Sequence, residues 1–88
     1  MKCINKLMEA TTDKRVGNHS VRFTTTSRKF LYHWTTICEI NYDKKAVIID
    51  NGGFGTSSTT RAINSYLRHE TIKNLVENHN FEIKDLRR

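Results

Sequence analysis

The chain has 88 residues, a net charge of +6, 36% apolar and 27% charged residues, which leaves room for one modest hydrophobic core and no separate catalytic domain. Trp34, four Phe and three Tyr are more aromatics than a disordered chain carries. The longest aliphatic run, Ala46-Val47-Ile48-Ile49, is far short of the roughly 20 residues of a membrane helix. Met1-Lys2-Cys3-Ile4-Asn5-Lys6 does not lead into the apolar stretch of a signal peptide. The expectation is a cytoplasmic protein, a single domain over residues 1–88, with a homodimer as an open way to bury more surface.

Ile4 to Met8 fits either a short strand or a helical turn. Thr11 to Arg15 reads as a polar turn, and Gly17-Asn18 is the first strong break. From Val21 the pattern alternates, Val21, Phe23 and Thr25 against Arg22, Thr24 and Thr26, which describes a half-buried strand with a basic, hydroxyl-rich outer face. Between residues 30 and 42, Phe30, Tyr32, Trp34, Thr36, Cys38, Ile40 and Tyr42 take every second position. That spacing predicts one long strand with an aromatic stripe against the core. Asp43-Lys44-Lys45 reads as a hairpin connection, and Ala46 to Ile49 as a central strand. Beyond the glycines the period becomes helical. Ala62, Ile63, Tyr66 and Leu67 form the apolar face of a helix, with Arg61, Asn64, Ser65 and Arg68 opposite. Ile72, Leu75 and Val76 are out of phase, which predicts a break near His69 to Thr71, with Thr71 as the next cap. Phe81 to Leu86 alternates again, as a last strand at the sheet edge before the basic Arg87-Arg88.

These elements predict an α+β fold: a small antiparallel sheet of three to five strands with one kinked or two short helices on one face. The expected core is Val21, Phe23, Tyr32, Trp34, Cys38, Ile40, Val47, Ile49, Ile63, Leu67, Leu75 and Phe81.

In a reducing compartment Cys3 and Cys38 are read as free structural thiols. No Cys-x-x-Cys or His-x3-5-His pair exists, so no metal and no cofactor are expected. Nucleophilic catalysis has one plausible thiol, Cys38. His33 lies five positions away, an odd offset that turns it to the other side of a strand, and Glu39 and Asp50 have no spacing that makes them an acid–base pair. A non-enzymatic role follows.

Gly52-Gly53-Phe54-Gly55 runs through Ser57 and Ser58 into a helix start, where free backbone N–H groups and close approach suit an anion. The P-loop's Gly-Lys-Ser/Thr ending is missing, and a strand-to-helix turn with capping explains the same residues. Charge is uneven: residues 1–29 carry seven Lys or Arg against two acids. A field of that sign favours polyanions, nucleic acid or an acidic protein surface. Arg22, Arg28, Lys29, Arg61 and Arg68, beside Thr, Ser and Asn64, are the candidate contact residues, because those side chains share phosphate contacts. An exposed aromatic stripe would add base stacking.

The stretch from Tyr32 through Ser58-Thr59-Thr60-Arg61 resembles small accessory proteins of bacteriophages, in which a strand pair runs into a Thr/Ser-rich turn and a short basic helix. A basic or His residue often follows the arginine there, where this chain has Ala62. The resemblance implies a phage-type protein, in the cytoplasm of a host cell, that binds and blocks a host nucleic-acid-handling complex, as anti-CRISPR inhibitors do. Direct nucleic-acid binding by the basic Arg/Thr surface is the alternative.

Overall fold

A computed structural model describes residues 2–53 and 55–87. Phe54 of the glycine turn, Arg88 of the basic tail and Met1 lie outside the described residues. The order of elements is α1 (Lys2–Glu9), β1 (Lys14–Val16), β2 (His19–Phe23), β3 (Ser27–Tyr32), β4 (Thr35–Asn41), β5 (Ala46–Ile49), α2 (Ser57–Arg68), α3 (Glu70–Asn78) and β6 (Glu82–Asp85). The strands form one sheet in sequence order. β1 to β5 are antiparallel neighbours, whereas β6 pairs parallel to β5. A parallel neighbour needs a crossover, and α2 and α3 supply it. The α+β class agrees with the sequence pattern. The count of six strands and three helices among the described residues, and the parallel last pair, depart from the expected all-antiparallel sheet of three to five strands with one or two helices.

The helices share one side of the sheet. Ile4, Leu7 and Met8 of α1, Ala62, Ile63 and Tyr66 of α2 and Ile72 of α3 join Val21, Phe30, Cys38, Ile40, Val47 and Ile49 in the core. At its centre Phe30 and Tyr66 meet with ring centroids 4.6 Å apart, an interaction worth about 0.5–1.5 kcal/mol beyond the area it buries. α2 starts at Thr56, whose hydroxyl accepts the Thr59 N–H at 3.2 Å. His69 ends it and, through its ring Nδ1, accepts the Thr71 N–H at 3.1 Å. The expected break is therefore present, with His69 rather than Thr71 as the cap.

The predicted strand over 30–42 is two strands. The chain reverses at His33-Trp34, where His33 takes φ 57°. In a two-residue hairpin Tyr32 pairs with Thr35, which would put odd-numbered residues of the return strand on the helix side. A bulge corrects this: Leu31 pairs with Thr36 but Phe30 with Cys38, so Ile37 is the extra residue. The turn inverts the parity of the pattern and the bulge restores it. Even positions 30, 32, 38 and 40 thus face the helices although the chain has turned back between them. Trp34, expected in the core, sits on the turn at 69% exposure.

A second turn also lacks the usual glycine or proline. Thr24 closes it with its hydroxyl, which accepts the Ser27 N–H at 3.0 Å while the Thr24 N–H donates to the Ser27 carbonyl at 2.8 Å. This ends the Val21 strand at Phe23. Arg28, a predicted contact residue, pairs with Phe23 on the helix side. Its Nη1 donates to the Met8 carbonyl at 3.1 Å and its guanidinium lies 5.0 Å from the Phe23 ring centre. It fastens the C-terminus of α1 and does not belong to the outer surface. Arg28→Ala is expected to cost about 1–3 kcal/mol of stability in urea unfolding, because the Met8 carbonyl loses a charged donor and Phe23 its cover.

Candidate nucleic-acid interface

Among the described residues all helices lie on one side, so the other side of the sheet has no helical layer there. Register places Arg15, Ser20, Leu31 and Thr36 in one row across it and Arg22, Lys29, Glu39, Ile48 and Lys84 in the next. The β1–β3 strands of this bare face therefore present Arg15, Arg22 and Lys29 with no acidic side chain between them. Arg22 stands directly opposite Lys29, a like-charge cross-strand pair that works against stability. The one ion pair among the described residues is Arg87 with Asp85, at 2.5 Å, at the other end of the sheet. The nearest acid in these rows, Glu39, accepts a hydrogen bond from Asn41 at 3.2 Å.

Trp34 completes the patch. The His33 N–H donates to the Asn18 carbonyl at 2.7 Å, which docks the β3–β4 turn against the β1–β2 turn at Gly17. That hydrogen bond puts the indole within reach of both strands, 5.4 Å from the Arg15 guanidinium and 5.9 Å from that of Arg22. Arg15 is oriented by its Nε donating to the Gly17 carbonyl at 2.9 Å. Between Trp34, Lys14, Arg15 and Arg22 lies an open cleft of about 480 Å³. Asp13, just before β1, is at its rim, with Oδ1 accepting the Phe23 N–H at 2.8 Å. Such a surface offers cations at strand spacing and one large aromatic plane, the two contacts a sequence-tolerant nucleic-acid binder uses.

On the other side of Trp34 is a second cavity, of about 490 Å³, between the β3–β4 turn and the start of α2. Tyr32 and His33 continue its aromatic wall, with ring centroids 4.4 Å apart, and buried His19 stacks on Tyr32 at 4.6 Å.

The other predicted residues divide. Arg61, Asn64 and Arg68 do converge, and with Gly55 and Ser57 they line a groove of about 440 Å³ on the outer surface of α2. This groove belongs to the helical layer, so it and the Arg22–Lys29 face do not form one patch. Ser58 lines the cavity beside Trp34 instead. Gly52 and Gly53 form a tight turn with φ of 63° and 84°, stabilised by Asp50 and Asn51, whose side-chain oxygens accept the Gly52 and Gly53 N–H groups, each at 2.9 Å.

Cys38 is fully buried, and burial, with Glu39 adding, pushes its thiol up to about 12. It stays protonated at neutral pH and is no nucleophile in this setting. Burial likewise raises the phenol of Tyr66. Among the described residues no three His, Cys, Asp or Glu side chains gather as metal ligands, and no helix is long and apolar enough to cross a membrane. The chain matches no protein-family model, no curated protein and no solved structure.

Sequence reasoning missed Arg15 and misplaced Trp34. Arg15 had a usable signal, two positions before the Gly17 turn in a three-residue strand. Trp34 had none, because the bulge preserves the even spacing that mimics an unbroken strand.

His19 sets a pH dependence. Burial, with His33 adding, lowers its pKa, so the unfolded chain binds the proton more readily than the folded one. The stability that neutral His19 contributes is present above the ordinary imidazole value of about 6.5 and is lost as pH falls through that value towards the depressed folded one. Urea midpoints should therefore drop between about pH 7.5 and pH 5.5, and His19→Gln should flatten that drop.

Proposed function

We propose that this chain binds nucleic acid through the bare face of its sheet, in a non-enzymatic role. The observation that carries this reading is Trp34, 69% exposed with the guanidinium groups of Arg15 and Arg22 5.4 and 5.9 Å from its ring. Folding gains little from leaving a tryptophan in water and from setting Arg22 directly opposite Lys29. A polyanion with stackable bases uses both: phosphates take Arg15, Arg22 and Lys29, and bases take the indole. Thr36, in the same row as Arg15, adds a hydroxyl of the kind that shares phosphate contacts.

The test is binding of labelled DNA at rising salt. Arg15→Glu with Arg22→Glu should weaken binding by about 1 kcal/mol or more for each phosphate no longer neutralised. It should also flatten the log–log salt slope by roughly 0.7 per such phosphate on single strands and 0.9 on duplex. Stability should change by less than about 0.5 kcal/mol, or rise, since like charges are relieved. Full affinity in the folded double variant would reduce the face to a solvated surface.

A second reading rests on the α2 groove, which gathers Arg61, Asn64 and Arg68: the chain binds and blocks a host nucleic-acid-handling complex, as the phage-type resemblance implies. Protein partners retained in a pull-down from nuclease-treated lysate, and released by Arg61→Glu and Arg68→Glu, would favour it. Under the first reading those two changes leave DNA affinity nearly intact, because the groove lies in the helical layer.

A further inference from the structure

Trp34 is a wall shared by two clefts of opposite character. One is the basic cleft of Arg15 and Arg22 on the bare face, with Asp13 at its rim. The other, about 490 Å³, lies within the roughly 300–1,000 Å³ of small-molecule sites. It has an aromatic side, Tyr32, His33 and Trp34, and a polar side that includes Asn51 and Ser58. Asn51 uses its Oδ1 to accept the Gly53 N–H, and its side-chain NH2 group has no partner among the described residues. Neither has the Ser58 hydroxyl. Ile37, the bulged residue of β4, closes the floor and is 1% exposed.

We infer that this cavity receives one unpaired nucleobase of a nucleic-acid strand whose phosphates lie along the basic cleft, so that the protein selects single strands over duplex. The inference rests on the nucleic-acid reading above and adds what that reading leaves open, the state of the bases. A planar heterocycle with donors and acceptors on its edge matches a cavity with ring faces on one side and an amide and a hydroxyl on the other. The charge requirement is met next door, on the far side of the same indole. A duplex keeps its bases stacked on each other and offers none to the cavity. A peptide segment fits less well, since the cations beside the entrance require repeated negative charge outside and an uncharged ring inside, which a nucleotide combines in one unit.

The chain contains one tryptophan, Trp34, so its intrinsic fluorescence reports on this wall alone. The experiment titrates the full chain at low salt with a short oligothymidylate, the matching oligouridylate and a duplex of equal length, following both fluorescence and anisotropy. Single strands are expected to quench Trp34 and to bind at least ~5-fold tighter than duplex, the lower end of what one stacked base contributes. Tighter binding of oligouridylate assigns RNA, and of oligothymidylate DNA; either supports the inference. Ser58→Phe, an exposed position on the first turn of α2, should fill the cavity, abolish the quench and bring single-strand affinity to the duplex level. Equal affinity for single strands and duplex without quenching of the unaltered chain overturns the inference while the basic-face reading stands. Absence of binding to all three at low salt overturns both.

Discussion

A sheet has two sides, and this chain has helices for one of them. The parallel pairing of β6 with β5 commits α2 and α3 to a crossover on a single side, and α1 joins them there by packing Ile4, Leu7 and Met8 into the same core. Phe30 against Tyr66 is the centre of that arrangement, tying the middle of the sheet to the middle of α2. Everything on the reverse side follows from the lack of a second layer. Those positions must remain compatible with water, so register fills most of them with Arg22, Lys29, Thr36, Glu39 and Asn41, and short or flanked groups such as Ser20, Ala46 and Leu31 are the ones buried there. Water compatibility alone would be served by cations and acids mixed together. The β1–β3 strands instead carry three cations and no acid on this face, and that choice is the part the fold does not demand.

Polar fastenings hold the layers where apolar area is small. Arg28 crosses from β3 to the last carbonyls of α1, Asp13 accepts the Phe23 N–H and so extends the β1–β2 ladder by a side chain, and His69 ends one helix and starts the next. Each replaces water on a backbone group that would otherwise be left without a partner. Two cationic residues of the N-terminal third with the same sequence character thus have opposite fates: Arg22 is exposed on the bare face and Arg28 is partly buried under α1. One step of strand alternation, taken on the other arm of a hairpin, separates them.

The parts of the fold visible in the sequence are those that local chemistry dictates. Ala46 to Ile49, the Asp43-Lys44-Lys45 connection, the two helices with a break at His69 and the edge position of the last strand all follow from period, turn residues and apolar runs. The failures share a cause. Thr24 and His33 make turns without glycine or proline, one through a side-chain hydroxyl and the other by accepting φ 57°, and neither leaves a compositional mark. At the site, Arg22 was legible on an outer strand face and Arg61, Asn64 and Arg68 as one helix face, whereas Lys29 was a contact candidate by composition alone. Their mutual placement was not, because it depends on which side the crossover takes, a property of the whole sheet and not of any segment. The α1 core residues Ile4, Leu7 and Met8 were hidden for a related reason, since eight residues are too few to separate a helical from a strand period.

The turn at His33-Trp34 is where folding and the proposed binding pull in different directions. A non-glycine residue in the left-handed region costs about 1–2 kcal/mol, and an indole left in solvent forgoes about 2 kcal/mol of burial. A glycine at 33 and a small polar residue at 34 would close the same hairpin without either loss. Arg22 opposite Lys29 adds a third unfavourable feature within the same few strands. Local departures of this kind, three in one small area, are expected where a surface is shaped for a ligand and not for the folded state itself. They also coincide in space with the two clefts that share Trp34; the core has a polar conflict of its own, the buried Tyr66 hydroxyl, which has no hydrogen-bond partner among the described residues. The stability forgone at the turn is therefore best understood as the consequence of presenting one aromatic plane, between cations, at the end of a sheet that has nothing else to cover it.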